Sequence, residues 1–503
     1  MPNQIWLKWR GKLLTILPWL IIAFFAYLYI RIGFLNEIQL QNGEDLGTYN
    51  QILYNISHGH IPPFNSLKNE IAWGDHAHFI LLLVAPFYRL FWPAPQFVLA
   101  FQALALTTSG WALYQIAQDK IRNYLFSFVL LVAYLMFFGV QDALNFDFHA
   151  NVLTTAILAW SFYAWHRQKP VLFWITVALG LLTREDASLF YFMFGVWITI
   201  VSYKQHRRAG GALMGISLLY FFVVTYGLMP RWSSSGTALA YFDSPGPDWG
   251  PAKILAWLLT HPLQIFHTIT DTGTKVKTLR YLVEGFGFLS LLSPFTYLLA
   301  APNILARFLS GEYQQHLPSM YHYNASISSI LAYGAILGTS NLLALVKRFR
   351  PFRYDRIAVV LAAVLLMLIG GFFRSWLDRD LPLHHLQQPE FTQHKYQPRL
   401  TIGALYIIRE MIPLNQSVSA SSGLVPQLSS RSYIFNFPDP LPAHAQWVVL
   451  SPEFNTWPLP RGEVEGYITD FEHNDNYELV WRDYGLWVFK YKGTDIWRPT
   501  KPK

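Results

Sequence analysis

Long apolar runs recur along this chain, and the short connections between them carry much of its lysine and arginine. A run of about 20 apolar residues satisfies its backbone inside a bilayer only as a helix. That alternation commits the chain to a polytopic membrane fold before any motif is considered. Charged residues are 14% of the sequence, against roughly 25% in ordinary soluble domains. The formal charge of +8 does not point to nucleic acid, because the cations lie between apolar runs, where they set topology. There is no cysteine, which excludes disulfides and thiolate metal sites.

Lys8, Arg10 and Lys12 precede the first run, 13–30, and place the N-terminus in the cytoplasm. The polar segment 31–78 then lies outside. The run 79–92 is short for a span and holds Pro86 and Arg89, which predicts a helix lying in the outer interface. Runs 96–117, 124–140 and 150–165 alternate in direction and leave the loop 141–149 outside. Residues 171–203 are too long for one span, and Arg184-Glu185-Asp186 interrupts them. Two short spans meeting near the outer face are expected there. Run 211–228 leads to an outer loop, 231–280, with a Pro- and Gly-rich turn at 244–247. Run 281–308 is expected to split at Ser293-Pro294, and 325–346 and 357–373 complete the bundle. The most basic connection, Lys347 to Arg356, falls inside.

The expected fold is mainly α: a polytopic transmembrane bundle of about eleven spans over 1–374, with outer loops 31–95, 141–149, 231–280 and 310–324. From 375 to 503 the chain turns polar, and a small α/β extracytoplasmic domain is expected. Residues 400–411 have helical spacing, and 418–420, 447–450, 478–481 and 486–491 have the pattern of strands. Asp483-Tyr484-Gly485 fits a hairpin turn between the last two.

By this topology four polar clusters share the outer face. They are Glu44 with Asp45; Asp75, His76 and His78; Asp142, Asp147 and His149; and Arg184, Glu185 and Asp186. His322, flanked by Tyr321 and Tyr323, joins them. Carboxylates and imidazoles gathered on one face suit general acid–base chemistry, a divalent metal or an ion pathway. Asp45 is the candidate base. Each cluster also has a bland reading. Asp45 can be a solvated loop acid, and Asp142 can cap the helix that follows it. His76 and His78 can be an interfacial cap. Arg184 and Glu185 can be a structural ion pair, and the 321–323 aromatics an interface belt. No phosphate-cradling Gly-rich loop, Gly-x-Ser-x-Gly or His-Glu-x-x-His is present.

The order of these features resembles the GT-C superfamily of polyprenyl-phosphate-dependent glycosyltransferases. One span leads to an outer loop with an early acid pair (Glu44, Asp45), a Pro-containing interfacial helix (79–93), and a second acidic outer loop (142–149). The stretches 43–51, 148–149, 183–186, 321–323 and 419–431 resemble a bacterial family of predicted membrane proteins with a domain of unknown function. The superfamily resemblance implies transfer of a sugar from a polyprenyl-phosphate donor at the outer face of a bacterial cytoplasmic membrane. It implies an outer-loop acid as base and inversion at the anomeric carbon. The first-loop acid corresponds to Asp45 beside Glu44, and the second to Asp142 or Asp147. His76, His78, His149, Arg184, Glu185, Asp186, His322 and Tyr323 would line the substrate site, with Arg184 or His322 at the phosphate. Metal dependence differs across the superfamily, so no cation is assigned; Mg or Mn would be the candidates. The partners implied are the lipid-linked sugar, the bilayer and an acceptor of unassigned class, with no nucleic acid. A transporter or lipid flippase using the same clusters is the rival from another class. It would favour charges at mid-span and repeated halves, and neither is visible.

Overall fold

The computed structural model describes residues 2–91, 94–201, 204–233, 251–348, 356–373, 376, 381–385, 400–441 and 443–498. The turn expected at 244–247 and the boundary expected at 374–375 lie outside the described residues.

Helix α1 (Pro2–Ile38) is the first long apolar helix. It runs eight residues past the expected end of the first span, so the helix ends at 38 rather than 30. The reason lies in its last turns. Asn36 and Glu37 are buried and hydrogen-bonded to Asn145 and Gln96, so their polarity does not end the helix. The segment that follows folds as α2 (Glu44–Ser57), a hairpin of β1 (Phe64–Asn65) and β2 (Glu70–Ile71), and one turn, α3 (Ala72–Asp75).

Helix α4 (Leu81–Phe91) buries Leu81, Val84 and Tyr88 on one face and exposes Leu83, Phe87, Leu90 and Phe91 on the other. That two-faced pattern is the one expected of a helix lying in the interface. Next come α5 (Pro95–Ile121), α6 (Tyr124–Leu135) and α7 (Phe138–Asn145). Pro95 at the start of α5 loses no hydrogen bond there, and the Asn123 side chain caps α6 by accepting from Phe126 N. Residues 141–145, expected in a loop, are helical in α7.

Helix α8 (Leu153–His166) precedes α9 (Pro170–Leu181) and α10 (Ala187–Val201), which break at 182–186 as expected. Gly195 of α10 and Gly210 of α11 (Arg207–Phe222) let their backbones approach so closely that a Cβ on Gly195 would stand 2.7 Å from the Gly210 carbonyl. Small residues at such crossings are how membrane helices pack without a hydrophobic drive. Helices α12 (Pro251–Thr260), α13 (Pro262–Thr270) and α14 (Gly273–Glu284) follow. Run 281–308 does break at Ser293-Pro294, but its first half is the end of α14 and a 3-10 turn, not one helix. Then follow α15 (Tyr297–Leu309), the one-turn α16 (Tyr313–His316), α17 (Ser328–Arg348) and α18 (Arg356–Met367). Among the described residues five helices are long and apolar enough to cross a membrane, and four shorter ones are apolar.

The C-terminal part forms a five-stranded sheet in the order β4 (Ile434–Asn436), β3 (Val418–Ala420), β5 (Trp447–Leu450), β7 (Leu486–Tyr491), β6 (Tyr477–Asp483). Strand β3 is parallel to β4 and β5, with Val418 opposite both Ile434 and Trp447. Strand β7 is antiparallel to β5 and β6, and Tyr484 and Gly485 turn the last hairpin at positive φ. Strand β4 and the helix Arg461–Glu472 had no expectation from the sequence.

Helix α2 is the seam between the two parts. Its Leu46, Ile52, Leu53 and Ile56 share a core with Leu81, Val84 and Tyr88 of α4. On its other side Asn50 donates to Ser429 Oγ at 2.8 Å, and Gln51 donates to the Ser432 carbonyl at 2.9 Å. Gly47 permits this docking: a Cβ there would stand 2.5 Å from Val425 Cγ1.

Candidate active site

Glu44 and Asp45 open α2, where negative charge meets the positive end of the helix dipole. Gly43, at the N-cap, supplies no side-chain cap. The cap comes instead from Asp147, a hundred residues on. Its buried carboxylate accepts from Asn42 Nδ2 at 2.6 Å, Gly43 N at 3.2 Å and Leu46 N at 3.1 Å. Burial and the Asp45 charge push the Asp147 carboxyl up, against those donors. Asp147 therefore builds the helix start that carries Asp45.

Asp45 itself keeps half of its side chain accessible, at 51%. Its Oδ2 lies 3.6 Å from His149 Nε2. Burial works to raise its carboxyl, but the neighbouring His149, with Lys68, outweighs that and holds it below its ordinary value. Burial and the charge of Asp45 push its neighbour Glu44 up to about 7, while Glu44 Oε2 accepts from Asn436 of the C-terminal sheet at 3.3 Å.

His149 is held from three sides. Its backbone N–H donates to Gln102 Oε1 at 2.9 Å. Its Nδ1 lies 3.2 Å from the Asp147 carbonyl, which can only accept, so Nδ1 carries a proton and Nε2 faces Asp45. The ring stacks on His322 with centroids 3.7 Å apart and meets Tyr49 edge-on at 5.4 Å. His322 Nδ1 is buried with no hydrogen-bond partner among the described residues. The Tyr323 ring lies tilted beside His322, with centroids 4.6 Å apart. Arg307 of α15 anchors this loop, donating to Asn324 Oδ1 at 2.7 Å and to the Gln315 carbonyl.

A second cluster adjoins through Tyr49. His78 Nδ1 donates to the Thr183 carbonyl at 2.7 Å, so its Nε2 accepts from the Tyr49 hydroxyl at 3.1 Å. Burial, then the neighbouring His76, pushes His78 down to about 3. His76 Nδ1 pairs with Glu185 Oε1 at 2.9 Å, and Glu185 Oε2 accepts Ala77 N at 3.0 Å. Burial opposes both charges, yet His76 is raised and Glu185 lowered, because each charge favours the other. Arg184 pairs with Asp186, not with Glu185. The bland Arg184–Glu185 ion pair is thus not formed; the two residues pair with Asp186 and His76, and the bend at 182–186 turns Glu185 toward the 75–78 segment.

Asp142 is not the cap of a following helix. It lies inside α7, buried, within electrostatic reach of Tyr29 on α1. Both ring nitrogens of His78 are engaged, and His76 and His78 do not share a ligand position. Among the described residues no three His, Asp or Glu side chains converge to hold a metal ion.

Tyr49, Gln102 and Arg307 were not singled out from the sequence. Gln102 had a usable signal, as a polar residue at 1% exposure within an apolar span.

The family model for DUF2079, described as a predicted membrane protein, matches residues 38–488. Among solved structures, the crystal structure of ArnT from Cupriavidus metallidurans bound to undecaprenyl phosphate is similar, with a TM-score of 0.50 at 11% identity. The match covers 93% of this chain and 97% of that one. At this identity the likeness is one of fold. No curated protein matches the chain.

Proposed function

This chain belongs to the DUF2079 family of predicted membrane proteins, and we propose that it is a membrane glycosyltransferase using a polyprenyl-phosphate-linked sugar. The observation that carries this reading is Asp45: half-exposed, at a helix start, its oxygen 3.6 Å from His149. The fold shared with ArnT, whose structure holds undecaprenyl phosphate, supports it.

Asp45 takes the proton of an acceptor hydroxyl. The freed oxygen attacks the anomeric carbon from the face opposite the phosphate and inverts it. The bond from that carbon to the phosphate oxygen breaks, and its electron pair leaves with the lipid phosphate. Arg184 supplies positive charge at that end of the site, where its field acts on Tyr49 and His322. His76, His78, Glu185, Asp186 and Tyr323 shape the surrounding wall. The site works at the outer face of a bacterial cytoplasmic membrane, with the N-terminus inside. The membrane part, 1–374, binds the donor, and the outer domain, 375–503, offers the acceptor to α2.

Purified protein in nanodiscs, given radiolabelled sugars on polyprenyl phosphate and an envelope extract as acceptor, tests the reading. Label moved from lipid to a second product supports it. Label left on the lipid but flipped across proteoliposomes would replace it with the flippase.

A further inference from the structure

We propose that Asp45 and His149 form a proton-sharing pair in which the acceptor's proton ends on His149 Nε2; this rests on the transferase reading above. Three observations place that nitrogen. The Asp147 carbonyl takes the Nδ1 proton, so the free lone pair is on Nε2. Gln102 fixes the backbone at His149, and His322 stacks flat on the ring at 3.7 Å. Nε2 then stands 3.6 Å from Asp45 Oδ2, just outside hydrogen-bond distance, which leaves a gap that a single proton would close.

An imidazole is ordinarily a stronger base than a carboxylate by roughly two to three pKa units. The hydroxyl O–H bond breaks toward Asp45 Oδ2. The N–H bond then forms at Nε2, and Asp45 is left ionised against an imidazolium. Charge balances: the phosphate leaves with one more negative charge, and His149 gains one positive charge. The groups facing the His149 ring are Asp45 from α2, Tyr49 from α2, His322 from the loop before α17, and Asp147 from its own segment. Arg184 and Arg307 act on the stack through His322.

Two measurements test the pair. In the transferase assay, H149Q should cut kcat by roughly 100-fold or more with donor binding retained. The acid limb of its pH–rate profile should move to lower pH, since only the carboxylate then remains to be protonated. H149A should recover rate with added imidazole, which a purely structural role would not give. The second measurement needs no turnover. With 13C-labelled histidine in the full-length protein, the His149 ring signal is assigned by its loss in H149Q. Its titration midpoint should fall in D45N, because the imidazolium loses its counter-ion. An unmoved midpoint overturns the pair, and so does an H149Q enzyme with the wild-type acid limb. A wild type that transfers from no donor, with the D45N shift present, upholds the proton-sharing pair and removes only the transferase reading.

Discussion

The Asp147 carboxylate accepts the backbone N–H of Leu46 at 3.1 Å, so the helix that presents Asp45 starts on an acid from a different segment. Asp147 thus acts on Asp45 through the backbone. D147A should destabilise the protein by about 1–3 kcal/mol, the cost of leaving buried N–H donors unpaired. D147N keeps one accepting oxygen and should cost less. Thermal unfolding in detergent reads the order, and a D147A protein as stable as wild type contradicts the cap.

The His76–Glu185 pair predicts a pH window. Glu185 is lowered on folding, so its contribution is present above the ordinary carboxyl range and lost as pH falls. His76 is raised, so its contribution is present below the ordinary imidazole range and lost as pH rises. The pair therefore stabilises most between roughly pH 4.5 and 6.5. The difference in unfolding temperature between wild type and E185Q should peak there. A difference that is flat with pH contradicts the pair.

Glu44 has the opposite sign to an ordinary acid. With its carboxyl raised to about 7 in the fold, its contribution is full below the ordinary carboxyl range and fades as pH rises through about 7. E44Q cannot ionise. Relative to wild type it should therefore gain stability as pH passes from about 5 to about 8, in the same unfolding measurement.

Gly47 sets the distance between α2 and the C-terminal sheet domain. G47A should cost about 1–3 kcal/mol through overpacking against Val425. G47A/V425A should recover much of that loss, since the clash is with that side chain. Equal losses in the single and double mutants would place the strain elsewhere.

These relationships separate what the sequence could show from what it could not. The apolar runs, the break at Arg184 to Asp186, the interfacial α4 and the hairpin at Tyr484-Gly485 are local, and periodicity with turn chemistry exposes them. Glu44 and Asp45 stand out in the sequence for the same reason: two acids just past a span are conspicuous. The roles of Asp147, Glu185 and Gln102 were not legible. Each acts on a partner 47 to 109 positions away, and no local pattern encodes that pairing. The cap reading of Asp142 fails because α7 runs through it. The outer face was expected to begin at 31, because the polar residues that end α1 are satisfied by contacts the sequence does not display.

The most direct test of the account is single-turnover transfer from a polyprenyl-phosphate-linked sugar by wild type and D45N at equal donor occupancy. The account predicts that D45N binds donor as wild type does and loses at least about 100-fold in rate, as expected for a missing base. A D45N protein that transfers at the wild-type rate would contradict it.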